Sequence, residues 1–181
     1  MAYTRTRTIA ISALIAALMA ASALVSIPVG PVPVTLQVMV VVLASLVLQP
    51  SGAFAAMAAY VLLGAIGLPV FAGAQGGLGV LAGPTGGFLL GFVLGAPLGA
   101  WARTVAETRL KAPGADVLAA ACVIVSAYAA GWPQLALVTG MSAAKAFAAG
   151  VAPFVLWDAI KAAAAIGFAT SLRKTGALRP F

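Results

Sequence analysis

The chain has 181 residues, of which 64% are hydrophobic and 7% charged, with a formal net charge of +7. This composition excludes a soluble domain. The apolar segments lack the alternation of polar and apolar residues that is typical of outer-membrane strands, so we expect an all-α integral membrane protein whose helices satisfy their own backbone hydrogen bonds. The basic residues lie at the ends of apolar segments, which argues against nucleic-acid binding, and a chain with no His and a lone Cys122 has no disulfide framework and no thiolate metal cluster.

The first predicted element is a helix over residues 8–27, directly after Arg5 and Arg7. Its 20 residues cross a membrane core of about 30 Å at about 1.5 Å per residue. Residues 21–23 imitate a signal-peptidase site, but the apolar segment is longer than the usual signal core of about 7–15 residues. We therefore expect this segment to be retained as a transmembrane helix.

A proline-rich loop and a helical hairpin follow. The prolines between residues 27 and 34 exclude a helix, because each removes a backbone donor and favours an extended predecessor. This segment is predicted to be a loop on the outer side. The apolar stretch over residues 34–68 is too long for a single span of about 20 residues. Residues 49–52 (Gln-Pro-Ser-Gly) interrupt it, which predicts two helices joined by a short turn.

The next feature is the Gly-rich segment, defined as Pro69 to Gly87. Backbone that is rich in Gly and bounded by Pro is a poor helix former. Non-helical backbone at membrane depth is tolerated only where protein or a wet cavity satisfies it. The segment is therefore predicted either to lie outside the membrane or to fold over a site as a lid.

Two features define the second half of the chain before its last helix. Glycines recur every four residues from Gly83 to Gly99, and we interpret this stripe as close packing against another helix of the same chain. A polar connection over residues 103–116 leads to a fifth helix, which Trp132-Pro133 is expected to end. A short surface helix carrying Lys145 is expected before Gly150.

The last helix is predicted to open at Pro153, since proline is favoured in the first turn. Together these patterns predict a single transmembrane domain over residues 1–181, a six-transmembrane-helix bundle with a Gly-rich extracellular loop between helices 3 and 4. The six helices are expected over residues 8–27, 34–48, 53–68, 84–101, 117–131 and 153–172.

Asp158 and Lys161 are the candidate functional residues, because they lie three residues apart inside the last apolar segment. An ionisable side chain in a membrane helix costs roughly 2.5–3.5 kcal/mol, so it usually faces protein or water and marks a site. At this spacing the two side chains share one helix face. The alternative is that they neutralise one another so that the helix can insert. The two interpretations are compatible.

The basic residues also predict an orientation. With six helices and a cytoplasmic N-terminus, most basic residues fall on the inner side, Lys145 falls outside and Lys161 is buried. The protein is then expected in the cell (inner) membrane, with both termini on the cytoplasmic side and the pocket open to the outer side. The inner basic residues are Arg5, Arg7, Arg103, Arg109, Lys111, Arg173, Lys174 and Arg179.

Four motifs, in order along nearly the whole chain, are similar to those of the BioY biotin transporter family. They are residues 27–37 (Ile-Pro-Val-Gly-Pro-Val-Pro-Val-Thr-Leu-Gln), residues 63–73 (Leu-Gly-Ala-Ile-Gly-Leu-Pro-Val-Phe-Ala-Gly), residues 83–88 (Gly-Pro-Thr-Gly-Gly-Phe) and Asp158-Ala-Ile-Lys161. The resemblance implies a substrate-capture (S) component of an energy-coupling factor transporter. Such a protein binds biotin from outside and works with a transmembrane coupling subunit and two ATP-hydrolysing subunits.

The resemblance also implies which residues bind biotin. In this family the last-helix Asp and Lys contact the vitamin, which corresponds to Asp158 and Lys161, and the glycine-rich loop, including Gly76 and Gly77, closes the pocket. One departure is that Leu156-Trp157 replaces the usual Pro-Gly before the Asp. That replacement puts the local shape near Asp158 in question.

Biotin has ureido N–H donors, a ureido carbonyl, an apolar ring and a carboxylate tail, so acidic, basic, amide and aromatic partners suit it. Gln37 and Gln75 are the candidate amide partners, and the resemblance favours a site role for Gln37. The candidate aromatic wall residues, for which ordinary packing or interface anchoring is an equal alternative, are Tyr60, Phe71, Phe154 and Trp157.

The stripe of Ala13, Ala17 and Ala21 on the first helix permits close helix approach. In the family such alanines dock the coupling subunit, while packing within the bundle is the alternative. The chain has no Walker lysine motif, and we expect no enzymatic activity and no cofactor. The expected partners are biotin, membrane lipid and the transporter's coupling and ATPase subunits, and not nucleic acid. The alternatives are a capture component for another vitamin, and a small membrane enzyme with Asp158 and Lys161 as acid and base.

Overall fold

The computed structural model describes residues 2–176. Within this range the chain consists of helices, one small β-hairpin and the loops that connect these elements. The strands β1 (Ser26–Ile27) and β2 (Val34–Thr35) pair antiparallel. The helices of this described part are α1 (Ala2–Leu24), α2 (Gln37–Val47), α3 (Pro50–Ala65), α4 (Leu78–Leu81), α5 (Gly86–Ala106), α6 (Ala112–Thr139), α7 (Ala143–Gly150) and α8 (Val155–Lys174).

Four of these helices are long and apolar enough to cross a membrane, namely α1 from Arg5, α5, α6 and α8. The predicted helical hairpin is present as α2 and α3, which are apolar but shorter, with 11 and 16 residues. Helix α2 lies at the centre of the bundle and packs against α1, α5, α6 and α8. Its residues Val40, Val41 and Val42 are at most 1% exposed, so α2 supplies the core around which the longer helices gather.

The glycine stripe of α5 packs against α6, as the spacing of four predicts. A Cβ at Gly91 would lie 2.6 Å from Ala127 Cα, and one at Gly99 would lie 2.9 Å from Ala119 O. Both distances are shorter than van der Waals contact, so the two backbones are too close for any side chain between them. This makes α5 and α6 the most extensively packed helix pair in the described structure.

The fifth predicted helix does not end at Trp132-Pro133, and that expectation was wrong. Helix α6 runs through Pro133 to Thr139 and ends at Gly140, which has a left-handed backbone (φ 67°). A proline inside a membrane helix is tolerated when neighbouring groups compensate the lost hydrogen bond. Here the segment after the proline is held by packing, because Leu135 is completely buried.

Other boundaries also differ from the sequence-based ones. The last helix begins at Val155 rather than Pro153, with Phe154 as its N-cap. Helix α5 begins at Gly86 and continues five residues beyond Trp101, to Ala106. The expected surface helix carrying Lys145 is α7. The basic residue Arg179 and the end of the predicted domain lie outside the described residues.

A charge cluster around one buried carboxylate joins three helices at the end where α5 and α8 finish and α6 begins. We call it the Asp116 cluster, and it comprises Asp116, Arg103, Arg173 and Glu107. Arg103 Nε donates to Asp116 Oδ1 at 2.8 Å, and Arg173 donates to both carboxylate oxygens at 2.7 and 3.0 Å. Glu107 pairs with Arg103. Asp116 is 1% exposed, so this carboxylate ties α6 to both neighbours.

Candidate binding cavity

A cavity of about 510 Å³ lies at the opposite end of the bundle, where α2 and α8 begin. Its walls come from the proline-rich loop, the Gly-rich segment, the start of α2 and the facing turns of α5, α6 and α8. Small-molecule sites typically have volumes of about 300–1,000 Å³ and an apolar lining with a few polar groups. The side chains that provide polar groups in this lining are Ser26, Thr35, Gln37, Gln75, Thr85, Tyr128, Asp158 and Lys161.

Asp158 and Lys161 both line the cavity and contact each other. Lys161 Nζ donates to Asp158 Oδ1 at 2.8 Å, and the residues are only 8% and 3% exposed. Asp158 lies in the first turn of α8, where the positive end of the helix dipole favours a carboxylate. The structure therefore places the predicted charges together, inside protein, on a cavity wall.

Tyr128 is the residue of this cluster that sequence reasoning missed. Its hydroxyl donates from α6 to Asp158 Oδ2 at 2.7 Å, so each carboxylate oxygen has its own donor. A single tyrosine within the apolar fifth helix was its only sequence signal. Without knowing the rotation of α6, that signal cannot be distinguished from ordinary packing.

Gln37, at the start of α2, is fixed by a second polar network in the lining. The hydroxyl of Thr35 donates to Gln37 Oε1 at 3.0 Å, and Gln37 Nε2 donates to the hydroxyl of Tyr60 at 2.7 Å. Tyr60 in turn donates to the carbonyl of Val70 at 3.1 Å. Gln37 therefore presents an oriented amide to the cavity, with its second N–H outside these bonds.

The candidate aromatic residues have three different positions: on the cavity wall, behind that wall, and on the outside of the helix bundle. Phe71 and Phe154 line the cavity. Tyr60 is fully buried behind the wall and contacts Phe71 edge-on, with the ring centroids 5.6 Å apart. Trp157 is 55% exposed and absent from the lining. Its suggested place in the ring pocket was wrong, because Asp158 points inward and its neighbour on a helix cannot share that direction.

The Gly-rich segment contributes Gln75 to the lining, but not Gly76 or Gly77. These glycines shape the segment instead. A Cβ at Gly76 would collide with the carbonyl of Leu68. Gly77 has a φ of 95° and donates its N–H to the carbonyl of Gly64 at 2.7 Å, and L side chains rarely adopt such a backbone.

Gln134 holds the Gly-rich segment from α6. Its Nε2 donates to the carbonyls of Leu81 and Gly83 at 2.7 and 2.9 Å, the kind of groups that the end of the short helix α4 leaves without intrahelical donors. Because Pro133 was expected to end the helix, this residue was not identified from the sequence.

We expect Gln134→Leu to loosen the Gly-rich segment while the helices stay folded. Two lost hydrogen bonds, each worth about 0.5–1.5 kcal/mol, should raise amide hydrogen–deuterium exchange over residues 78–85 by about tenfold. The control is Gln49→Leu, since Gln49 is exposed and makes no capping hydrogen bond. Equal exchange in the two variants would contradict the role of Gln134.

The alanine stripe of the first helix points away from the bundle. Ala13, Ala17 and Ala21 are all exposed, whereas Ala16 is buried and Ala20 is half-buried. The stripe is thus not used for packing within the described chain and remains open to another helix.

The departure before Asp158 does not interrupt the last helix. Leu156 and Trp157 lie on the outer face of α8, 69% and 55% exposed. The N–H of Asp158 bonds to the carbonyl of Phe154 at 2.8 Å, so the helix is regular there and the carboxylate faces the cavity.

Comparison with known proteins identifies several similar chains. The model of the BioY family matches residues 1–177. A probable biotin transporter BioY of Pyrococcus horikoshii is 37% identical over 169 residues, covering 93% of this chain and 98% of that protein. The biotin transporter BioY of Rhizobium etli is 39% identical over 172 residues, covering 88% and 89%.

The fold also matches a solved structure. A crystal structure of the S-component for biotin from an ECF-type ABC transporter superposes with a TM-score of 0.87 and 24% identity, covering 96% of this chain and 94% of that one. At this identity the likeness establishes the fold.

Proposed function

The chain belongs to the BioY family, and on that premise we propose that it captures biotin in the cavity described above. The observation that carries the proposal is the Asp158–Lys161 pair, buried and facing a cavity of suitable volume rather than lipid. A pair needed only for insertion would not have to face a cavity. The relatives are named as transporters, and we assign no reaction to the pair.

The cavity suits the chemistry of biotin. A carboxylate accepts from ureido N–H groups, and an ammonium donates to the ureido or tail oxygen. The apolar ring and chain fit against Phe71, Phe154 and the other apolar walls. Gln37 and Gln75 add amide groups to the same lining. These contacts support biotin binding by Asp158, Lys161, Gln37, Gln75, Phe71 and Phe154, with Tyr60, Gly76 and Gly77 in supporting positions.

We further propose six membrane-crossing helices in a single domain, α1, α2, α3, α5, α6 and α8, with α2 and α3 crossing as short helices. Both termini would be cytoplasmic. The basic residues near the Asp116 cluster support this orientation, since basic residues accumulate on the cytoplasmic side. The cavity then opens outward, and the Gly-rich segment covers it from the outer side.

The likeness in fold supports a role as the S component of an ATP-driven energy-coupling factor transporter. The exposed stripe of Ala13, Ala17 and Ala21 suits close contact with a helix of the coupling subunit. Such small residues would let two helix backbones approach within the membrane. The energy for uptake would come from the partner ATPases.

Equilibrium binding to a panel of vitamins tests the substrate. We expect the purified protein to bind biotin and to retain it through purification, as measured by mass spectrometry of the released ligand. Thiamine and riboflavin should not compete, because neither combines a ureido group with a carboxylate for which Asp158 and Lys161 could supply partners. Binding of another vitamin in place of biotin would contradict the proposal and favour a different capture component.

A further inference from the structure

We propose that Tyr128 is a positioning residue that holds Asp158 in its binding orientation by linking α6 to α8. The inference rests on the proposed function and deepens it. Tyr128 lines the same cavity, and its hydroxyl donates to Asp158 Oδ2 at 2.7 Å.

Lys161 alone cannot position the carboxylate relative to the rest of the cavity. Lys161 and Asp158 lie on the same helix, one turn apart, and their contact at 2.8 Å is unchanged when α8 moves as a unit. Tyr128 lies on a different wall. Among the described residues, its hydrogen bond is the polar contact that ties the Asp158 carboxylate to an element outside α8.

The helix that carries Tyr128 is firmly placed. On either side of this residue, α6 is in close contact with α5. Ala127 packs on Gly91, and the ring of Phe88 fills the space in which a side chain at Gly131 would lie. With no room for side chains at these contacts, the position of the Tyr128 backbone is set by α5. Tyr128 is therefore a donor on a rigid wall.

Helix α8, by contrast, packs mainly on α2 and has little contact with α6. Within the described residues 2–176, the polar links between α6 and α8 are Tyr128–Asp158 at the cavity end and Asp116–Arg173 at the far end. The first of these adjoins the cavity. It ties the first turn of α8 to α6.

This arrangement has a consequence for ligand recognition. With Tyr128 on Oδ2 and Lys161 on Oδ1, the carboxylate has a defined plane, and its remaining lone pairs are available to N–H donors of the ligand. Without the hydroxyl, the carboxylate is free to turn toward Lys161. A preorganised partner costs less to order when the ligand binds.

The test is the biotin dissociation constant of Tyr128→Phe, a variant that keeps the ring and removes the hydroxyl. We expect binding to weaken about tenfold, as for loss of one hydrogen bond to a charged group. Thr139→Val is the matched control, because it removes a hydroxyl from the same helix away from the cavity, where it bonds only to Leu135 O. A Tyr128→Phe affinity equal to that of wild type would overturn the proposal.

A double-mutant cycle separates positioning from packing. If Tyr128 acts through Asp158, then Tyr128→Phe should cause no further loss in an Asp158→Asn background. The same tenfold loss in both backgrounds would overturn the proposal, and if Asp158→Asn shows no measurable binding, the single Tyr128→Phe comparison decides. Wild-type protein that fails to bind biotin would instead refute the proposed function.

Discussion

Asp158→Asn and Lys161→Ala are each expected to weaken biotin binding by about 100-fold or more, as when one partner of a buried, hydrogen-bonded charge pair is removed from a binding site. The partners are 2.8 Å apart and almost completely buried, so removing one of them leaves the other without its charged partner. Calorimetric titration of the detergent-solubilised variants measures the effect. Both should elute as monodisperse protein in size-exclusion chromatography.

Two further variants separate binding from membrane insertion. Lys145→Ala removes an exposed lysine from α7 and should leave biotin affinity unchanged. Asp158→Asn combined with Lys161→Met removes both charges, and a helix without buried charge should insert readily. If the pair serves only insertion, this double variant will bind biotin like the wild type. If it belongs to the site, binding will remain lost.

The features that the sequence predicted correctly are those for which the membrane leaves few alternatives. Charges are so costly in an apolar segment that Asp158 and Lys161 were expected to face protein, and they do. The turn after residue 48 was predicted because the apolar stretch over residues 34–68 is too long for one membrane-crossing helix. The glycine stripe of α5 follows from a repeat of four, which has one packing interpretation.

The features that it could not predict depend on contacts between distant segments. Tyr128 and Gln134 act on groups 30 to 53 residues away along the chain. Neither residue belongs to a local sequence pattern that would indicate its hydrogen-bond partner. The rotation of α6 decides which side chains face the cavity, and a shift of one residue turns a helix by about 100°. Pro133 concealed the last two turns of α6, because a proline stops an isolated helix but not one held by packing.

Asp116 is the clearest case, since it was assigned to a polar connection and instead lies buried in α6. A carboxylate at the start of a helix is ordinary on a surface. Only the fold shows that Arg103 and Arg173, from helices on either side, converge on it.

Asp116→Leu is expected to destabilise the protein by about 3 kcal/mol, because removing one partner of a buried ion pair leaves the other charges uncompensated. Arg103 and Arg173 would lose the carboxylate that holds them, although both side chains reach partly to the surface, 19% and 24% exposed. For a chain of this length the loss corresponds to a fall in melting temperature of roughly 6–12 °C. Differential scanning fluorimetry in detergent measures it.

The matched control is Glu107→Gln, which breaks the pair of Glu107 with Arg103. That carboxylate is 39% exposed, and exposed pairs contribute about 0–1 kcal/mol. Biotin affinity should be preserved in both variants, because Arg173 and the cavity residue Asp158 lie 15 residues apart along α8, roughly 22 Å. Effects on stability and on binding are thereby kept apart.

A compensated variant tests the electrostatic explanation directly. Asp116→Leu combined with Arg173→Met removes the anion together with one of its cations, and replacing buried ion pairs by apolar residues is often neutral or stabilising. Its melting temperature should therefore recover toward that of the wild type, while Arg103 keeps Glu107 as its partner. If Asp116→Leu melts no lower than Glu107→Gln, or the compensated variant melts lower still, α6 is held to its neighbours by packing and the buried carboxylate is not what joins them.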